Sequence, residues 1–339
     1  MKNSPQKVTV VGLGAIGGLL AAALARAGWS VAALARAGWS VAALARGHTL
    51  AALRDDGLTI VDEQGAVSRT PLRATDDARE LGEQDYLVIA LKAQALPALA
   101  PSLAPLVGPR TTIVAAMNGL PWWFLHGIGG ALDGCSLESV DPGGAIAAVL
   151  PPAQSIGCVV HLSSATDAPG VVRRVAGNRL IVGARDAARA AAARVLAEAL
   201  VEGGFEVETP AEIRTAIWVK LWGNMNMNPL SALTGSTTAG LLDDPHTHAL
   251  ALSMMDEAAA VGERLGLSTG ISSVERTGIT RKLGAFRTSM LQDFEAGRPL
   301  EIEPILGVFP ELGRALGVPT PFCDAVLGLL RQRARNSGL

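Results

Sequence analysis

A glycine-rich motif near the N-terminus constrains the fold of this 339-residue chain more than any other feature. The preceding residues 8–11 (VTVV) are rich in β-branched side chains, which predicts a strand, and an alanine-rich helical segment follows the motif. In such a strand–turn–helix, the three glycines permit a tight turn, close approach of a diphosphate and close helix packing. The free N–H groups of the helix N-terminus also favour an anion. The pattern therefore predicts a dinucleotide site formed by Gly12, Leu13, Gly14, Ala15, Ile16 and Gly17.

The first part of the chain continues this pattern. Short β-rich runs, such as residues 86–91 and 111–115, alternate with helical stretches, which is typical of a parallel sheet. After them come strand-like runs interrupted by glycine, which predict antiparallel additions at the sheet edge: 143–150, 156–162, 170–175 and 178–183.

After Pro210 the pattern is helical. Several of the predicted helices begin with proline, which is tolerated in the first helical turn. We therefore predict an α/β Rossmann-type dinucleotide-binding domain (1–209) followed by an all-α C-terminal domain (210–339). The predicted helices of the second domain are 212–228, 245–265, 284–295, 304–316 and 321–335.

Ten residues of the chain are duplicated next to themselves. Residues 22–31 (AALARAGWSV) recur unchanged as 32–41, so the predicted second strand, VAALAR, ends in arginine twice, at Arg36 and at Arg46. Arginine suits a ribose 2′-phosphate through charge-assisted hydrogen bonds, which predicts NADP(H) as the cofactor. Spacing from Gly12 favours Arg36, the residue we assign to this role, while the helical segment after Arg46 favours that residue. The ten extra residues either lengthen the first helix or follow the second strand.

Composition excludes several classes of partner. A net charge of −2 and a pI near 6.2 give no electrostatic reason to expect nucleic acid or an anionic membrane. Residues 8–25 carry no charge, but their glycines and β-branched residues argue against a signal peptide or a membrane span. The odd number of scattered cysteines, 3, fits a reducing compartment, so we expect a cytoplasmic protein.

One predicted helix carries a polar stripe. Lys220, Asn224 and Asn228 recur every four residues and so share one face, while the neighbouring residues are apolar nearly all round. The stripe is therefore expected to face a cleft. A desolvated lysine has a lowered pKa and can donate a proton near neutral pH. Asparagine can orient a small polar substrate without adding charge.

At these residues the sequence resembles the ketopantoate reductase (2-dehydropantoate 2-reductase) family. The resemblance extends over nearly the whole chain. It rests on GLGAIGG at 12–18, ALKA at 90–93, MNG at 117–119, WVKLWGNMNMNPLSALTG at 218–235, SMLQD at 289–293 and EIE at 301–303.

The resemblance implies an oxidoreductase that uses NADPH to reduce 2-dehydropantoate to pantoate, a cytoplasmic step of pantothenate biosynthesis. It implies that Lys220 is the general acid that protonates the ketone oxygen, and that Glu301 pairs with Lys220 or with a substrate hydroxyl group. It also implies substrate binding by Asn118, Asn224, Asn228 and Ser289, with Lys92 and Asn118 at the cofactor. The oligomeric state is not readable from the sequence, although the helical domain offers a surface for a homodimer.

Two departures leave the substrate open. The aromatic residues Trp122, Trp123 and Phe124 follow the MNG motif, where they could be core residues or could shape the pocket for a bulkier 2-oxo acid. Glu303 stands at a position where this family usually has aspartate. The alternatives are therefore a reductase of a bulkier 2-oxo acid and a non-catalytic NADP-binding sensor. His246 and His248 point apart on a helix, so we expect no metal site.

Overall fold

The computed structural model describes residues 6–34 and 46–339 of the chain. It divides into two compact units. The first comprises residues 1–117 and 144–213, and the second comprises 118–143 and 214–339. These units differ from the predicted domains mainly in segment 118–143, which packs with the helical part. The domain limits 1–209 and 210–339 stay a prediction.

In the described residues, the first unit is built around a mostly parallel sheet of ten strands. The spatial order is β4-β3-β9-β8-β7-β6-β1-β2-β5, with β10 beside β9. The strands are β1 (Lys7–Val11), β2 (Ser30–Leu34), β3 (Leu58–Val61), β4 (Val67–Thr70), β5 (Arg73–Thr75), β6 (Tyr86–Ile89), β7 (Thr112–Ala115), β8 (Ser155–Ala168), β9 (Val171–Gly183) and β10 (Glu206–Glu208). The helices are α1 (Ala15–Arg26), α2 (Arg46–Asp55), α3 (Leu96–Leu103) and α4 (Ala190–Glu202).

Parallel pairing at the centre of this sheet confirms the predicted fold class. Strand β1 lies between β2 and β6, and all three run parallel. Buried residues of β1 (Val8, Val10) and of α1 (Leu20, Leu24) belong to one hydrophobic core. Crossover helices cover both faces of a parallel sheet. The side chains of these strands are therefore buried on both faces and are mostly apolar.

Two predictions about the later strands were wrong. Residues 143–150 form turns rather than a strand, because Gly143 and Gly144 have φ of 62° and 71°, in the left-handed region that interrupts a strand. The antiparallel pair β8 and β9 does not sit at the edge, since β7 flanks β8 and β3 flanks β9. Strands β3 and β4 are the outer strands on that side of the sheet.

The second unit is helical, as predicted. Its helices are α5 (Arg214–Thr234), α6 (Thr238–Asp243), α7 (Pro245–Arg264), α8 (Ser273–Lys282), α9 (Ser289–Glu295), α10 (Val308–Leu316) and α11 (Pro321–Asn336), with a π-helical turn at Glu303–Gly307 before α10. The predicted helix 284–295 was wrong at its start, because Thr288 caps α9. Helix α8 was missed, although Ser272 and Glu275 form a capping box that the sequence displays.

Helix α5 is the centre of the second unit. The indole of Trp222 donates to the carbonyl of Met255 on α7 at 2.8 Å, and Trp218 lies between Phe124 and Phe309, with ring centroids 6.2 and 5.4 Å away. Buried Arg214 donates to the carbonyl of Phe124 at 2.8 Å. These contacts hold segment 118–143 against α5.

The aromatic residues after the MNG motif are therefore core residues. Trp122, Trp123 and Phe124 are all buried, and Phe124 stacks on Trp218. This packing favours the first of the two interpretations of the aromatic run over a role in shaping a pocket.

Candidate functional site

The glycine loop, residues 12–17, has the geometry that an anion site requires. Gly12 has φ of +92°, and a Cβ atom there would lie 2.6 Å from Cδ2 of Leu91. A Cβ atom at Gly17 would overlap the carbonyl oxygen of Gly12. Gly14 caps α1, is exposed, and has no atom within 4 Å of the position of a Cβ. The loop can therefore turn this tightly only because Gly12 and Gly17 have no side chains. Within the part of the chain that the structure describes, the space next to Gly14 is free of protein atoms.

The first turn of α1 has backbone N–H groups without a partner inside the helix. The amide of Gly18 donates to the carbonyl of Gly14 at 2.9 Å, so the amides of the preceding turn have no partner within α1. Helix α1 also has no acidic residue in its first turn. These features fit a diphosphate, and the assignment of Leu13, Ala15 and Ile16 to the same site stays a prediction.

Lys92 follows a strand that is adjacent to the strand before the glycine loop. It follows β6, whose neighbour is β1, and the amide of Ala90 donates to the carbonyl of Val11 at 2.9 Å. Both segments thus leave the same edge of the sheet, at the carboxyl ends of parallel strands, where ligands of α/β proteins bind. Half-buried Lys92 also precedes the short 3₁₀ turn Ala93–Ala95.

The duplicated segment is described only in part. Strand β2 (Ser30–Leu34) starts at the end of the first copy and continues into the second, and α1 ends at Arg26, so the idea that the extra residues lengthen the first helix is wrong. Arg36 lies outside the described residues. Arg46 begins α2, but its side chain is not among those described. The choice between these two arginines stays a prediction.

The second unit brings together residues that are far apart in sequence. Nζ of Lys220 on α5 donates to Oδ1 of Asn118 at 3.0 Å, across 102 positions of the chain. Both residues are half-buried. With Asn224 and Asn228, which continue the same face of α5, they form what we call the lysine cluster.

The loop that carries Asn118 is held by the π-helical turn. Gly119 has φ of +81°, and a Cβ atom there would lie 2.6 Å from the carbonyl oxygen of Pro304. The amide of Leu120 donates to that same oxygen at 2.9 Å. The backbone on both sides of the asparagine is therefore fixed, which limits the positions that the Asn118 side chain can take.

Two carboxylates near this turn have different surroundings. Glu301 is 8% exposed, and its neighbour Arg298 pairs with Asp293 at 2.8 Å. Glu303 instead binds Arg331 through two hydrogen bonds of 2.7 and 2.6 Å, and this carboxylate raises the pKa of Arg331. Glu303 is thus a structural residue, whereas Glu301 is the buried carboxylate that the sequence singled out.

The C-terminal half of the stripe meets the start of α9. Asn228 is 5% exposed, and its carbonyl accepts from the hydroxyl of Ser231 at 3.0 Å. Oγ of Ser231 also lies 2.5 Å from Oγ1 of Thr288. This contact places Ser289, the next residue, beside the turn after Asn228, although Ser289 is itself exposed.

Sequence reasoning missed one charged residue near this cluster. The guanidinium of Arg276 on α8 packs against Gly223, which lies between Lys220 and Asn224 on α5. No sequence signal distinguishes it, because a single arginine on a polar helix normally lies in solvent.

Neither a metal-binding cluster nor a membrane-spanning helix occurs in the described ranges 6–34 and 46–339. These contain no group of three His, Cys, Asp or Glu side chains that could hold a metal ion. Asp244, beside the two histidines, caps α7, and hydrogen bonds from the backbone of Thr247 and His246 lower its pKa. In the same ranges every helix is too short or too polar to cross a bilayer.

Comparisons with known proteins agree over the whole chain. Family models described as "Ketopantoate reductase PanE/ApbA" and "Ketopantoate reductase PanE/ApbA C terminal" match residues 8–122 and 212–334. A 2-dehydropantoate 2-reductase of Mesorhizobium japonicum is 45% identical over 332 residues, which cover 98% of this chain and 99% of that protein.

Solved structures are similar over the same length. A protein of Ralstonia solanacearum MolK2, provisionally assigned as a ketopantoate reductase, has 45% identity and a TM-score of 0.89, with 99% of this chain and 100% of that chain covered. D-Mandelate dehydrogenase in a ternary structure with NADH and anilino(oxo)acetate has 20% identity and a TM-score of 0.80, with 98% and 99% covered. The second likeness concerns the fold alone.

Proposed function

We propose a reaction for this chain from one premise, which is that the chain belongs to the ketopantoate reductase family. The proposed reaction is the NADPH-dependent reduction of 2-dehydropantoate to pantoate, with Lys220 as the general acid. The observation that carries this proposal is the 3.0 Å hydrogen bond between Nζ of Lys220 and Oδ1 of Asn118. It fixes an ammonium group at the end of a polar stripe on an otherwise apolar helix.

The residues of the lysine cluster have distinct tasks in this reaction. Reduction of a ketone builds negative charge on its oxygen, and a positioned ammonium stabilises that charge. Asn118 accepts a hydrogen bond from Lys220 and so positions the ammonium group that meets the ketone oxygen. Lys220 transfers a proton to the ketone oxygen and is reprotonated from solvent. Asn224, Asn228 and Ser289 hold the carboxylate and hydroxyl groups, while Glu301 pairs with Lys220 or with a substrate hydroxyl.

The glycine loop is the proposed cofactor site. Gly12, Gly14 and Gly17 hold the diphosphate, and Lys92 and Asn118 border the rest of the cofactor. The bound reduced nicotinamide supplies the hydride that adds to the carbonyl carbon. Arg36 is proposed to bind the 2′-phosphate, which gives a preference for NADPH over NADH. The related fold of D-mandelate dehydrogenase was solved with NADH, so both cofactors belong in the test.

The proposal includes a location and an assembly. An enzyme that makes pantoate for coenzyme A synthesis works in the cytoplasm, in agreement with the scattered cysteines of the sequence. A homodimer is part of the proposal, because a ketopantoate reductase of Staphylococcus aureus with the same fold is described as dimeric.

Turnover of the purified full-length protein tests the reaction. Loss of nicotinamide absorbance is followed with 2-dehydropantoate and with a panel of smaller and aryl-substituted 2-oxo acids, each with NADPH and NADH. We expect the highest kcat/KM for 2-dehydropantoate with NADPH. A higher value for a bulkier 2-oxo acid would overturn the substrate, and better use of NADH would overturn the cofactor. Tight NADPH binding without turnover of any acid would favour a sensor.

A further inference from the structure

The guanidinium of Arg276 reaches the backbone of α5 through a gap that only glycine leaves. A Cβ atom at Gly223 would overlap Nη2 of Arg276 and would lie 3.0 Å from Cζ and 3.3 Å from Nε. Glycine inside a helix costs about 1 kcal/mol relative to alanine. The close approach of Arg276 is therefore a structural reason for the glycine in this long helix.

This guanidinium carries a positive charge that no carboxylate in the described part of the chain neutralises. Among the described residues, none with a carboxylate lies within ion-pair distance of Arg276, and its side chain donates only to Oγ1 of Thr280, at 3.0 Å. Burial lowers its pKa. Other arginines of the same unit are paired, including Arg281 with Asp243. A partly desolvated guanidinium with unused donors is stabilised by an anion.

Position on α5 relates this charge to the lysine cluster. Gly223 comes three residues after Lys220 and directly before Asn224, and residues three apart on a helix have Cβ positions about 5–6 Å apart. In a 2-oxo acid the carboxylate carbon is bonded directly to the ketone carbon. A substrate whose ketone oxygen contacts Lys220 therefore carries its carboxylate within about one helical turn of Arg276.

We propose that Arg276 binds the carboxylate of the substrate and makes the enzyme selective for 2-oxo acids over neutral ketones. This inference rests on the proposed function. The planar guanidinium matches a carboxylate through two parallel hydrogen bonds, which an amide or a single ammonium cannot reproduce. Arg276 is a specificity-determining residue, because it holds the group next to the reacting carbonyl and exchanges no proton with it.

Steady-state kinetics of Arg276→Gln give the first test. We expect KM for 2-dehydropantoate to rise about 10- to 100-fold, the usual scale for losing a hydrogen bond to a charged group, with kcat nearly unchanged. KM for the methyl ester of the same acid, which has no carboxylate, should stay the same. Arg276→Lys should recover part of the loss. An unchanged KM for the acid, or equal changes for acid and ester, would overturn the proposal.

Two matched variants separate charge from position. Gly223→Ala keeps the arginine but pushes it away from α5, so KM for the acid should rise while kcat is retained. Lys282→Gln removes an exposed positive charge from the same helix and should change neither constant. If Lys282→Gln raises KM as much as Arg276→Gln does, the effect is long-range charge and the specific contact is refuted. Thermal denaturation of each variant verifies that it is folded.

Calorimetric titration tests Arg276 without turnover. Pantoate and oxamate, two carboxylates that are not reduced, are titrated into the full chain saturated with NADP⁺. We expect both to bind at least about tenfold more weakly to Arg276→Gln than to the parent protein. Equal binding, or no binding to the parent, would overturn the proposal. Absence of turnover with every 2-oxo acid would instead refute the proposed function, and the titration would still decide the role of Arg276.

Discussion

The glycine loop of the first unit and the lysine cluster of the second are built in opposite ways. The loop offers backbone N–H groups, and its shape depends on the absence of side chains at Gly12 and Gly17. The cluster offers side chains, and its central contact joins Lys220 to Asn118 across 102 positions. The loop should therefore fail when atoms are added to it, whereas the cluster should fail when atoms are removed.

Removing the ammonium should have the largest effect. Lys220→Ala is expected to lower kcat at least about 10²-fold, because general acid catalysis typically contributes 10²- to 10⁴-fold. Binding of NADPH, measured by fluorescence titration, should change little if the glycine loop carries most of it. The control is Lys282→Ala, which removes an exposed lysine of α8. Near-normal turnover of Lys220→Ala would remove this residue from its proposed role.

Adding one methyl group to the loop should have a smaller effect that depends on position. Gly17→Ala places a Cβ on the carbonyl oxygen of Gly12, so we expect the free energy of unfolding to fall by about 1–3 kcal/mol. Gly14→Ala meets no atom within 4 Å, and its φ of −78° suits alanine. Its stability should stay within about 0.5 kcal/mol of the parent, while NADPH binding weakens.

Urea denaturation and NADPH titration of both variants measure these effects. The informative result is a Gly14→Ala variant that is as stable as the parent but binds NADPH more weakly. If Gly14→Ala binds NADPH as well as the parent does, then no diphosphate approaches this backbone position.

The same contrast explains what the sequence could predict. The glycine loop is six consecutive residues with a strand before it and a helix after it, so local pattern was sufficient. The helical second unit was likewise readable from the proline-started helices, such as α7 and α11. The stripe of α5 followed from helical periodicity, which places every fourth residue on one face.

Features that depend on contacts between distant segments could not be predicted in this way. Helical periodicity cannot show that Gly223 admits Arg276, because the two residues belong to different helices and only packing joins them. The run at 143–150 looked like a strand by composition, but its consecutive glycines take left-handed conformations. Trp123 and Phe124 were ambiguous for the same reason, since burial is decided by the neighbours they meet in the folded unit.

The smallest expected effect concerns the duplicated segment, which follows the glycine loop in the first unit. Because the copies are identical, deletion of residues 32–41 gives the same sequence as deletion of any ten consecutive residues within the repeat, and it merges Arg36 and Arg46 into one arginine two residues after β2. Strand β2 ends at Leu34 and helix α2 begins at Arg46, so the deletion removes ten of the eleven residues between them and leaves both elements intact.

We expect the deletion to change KM for NADPH by less than about threefold, because β2, α2 and one arginine two residues after β2 are all retained. Arg36→Ala in the full chain should raise KM for NADPH more than this, about tenfold, and should leave KM for NADH unchanged, because only NADPH carries the 2′-phosphate. Arg46→Ala is its matched control. If Arg46→Ala has the larger effect, the second copy binds the phosphate. If the deletion itself changes KM more than tenfold, the duplication controls cofactor binding, and the site of the first unit depends on more than its glycine loop.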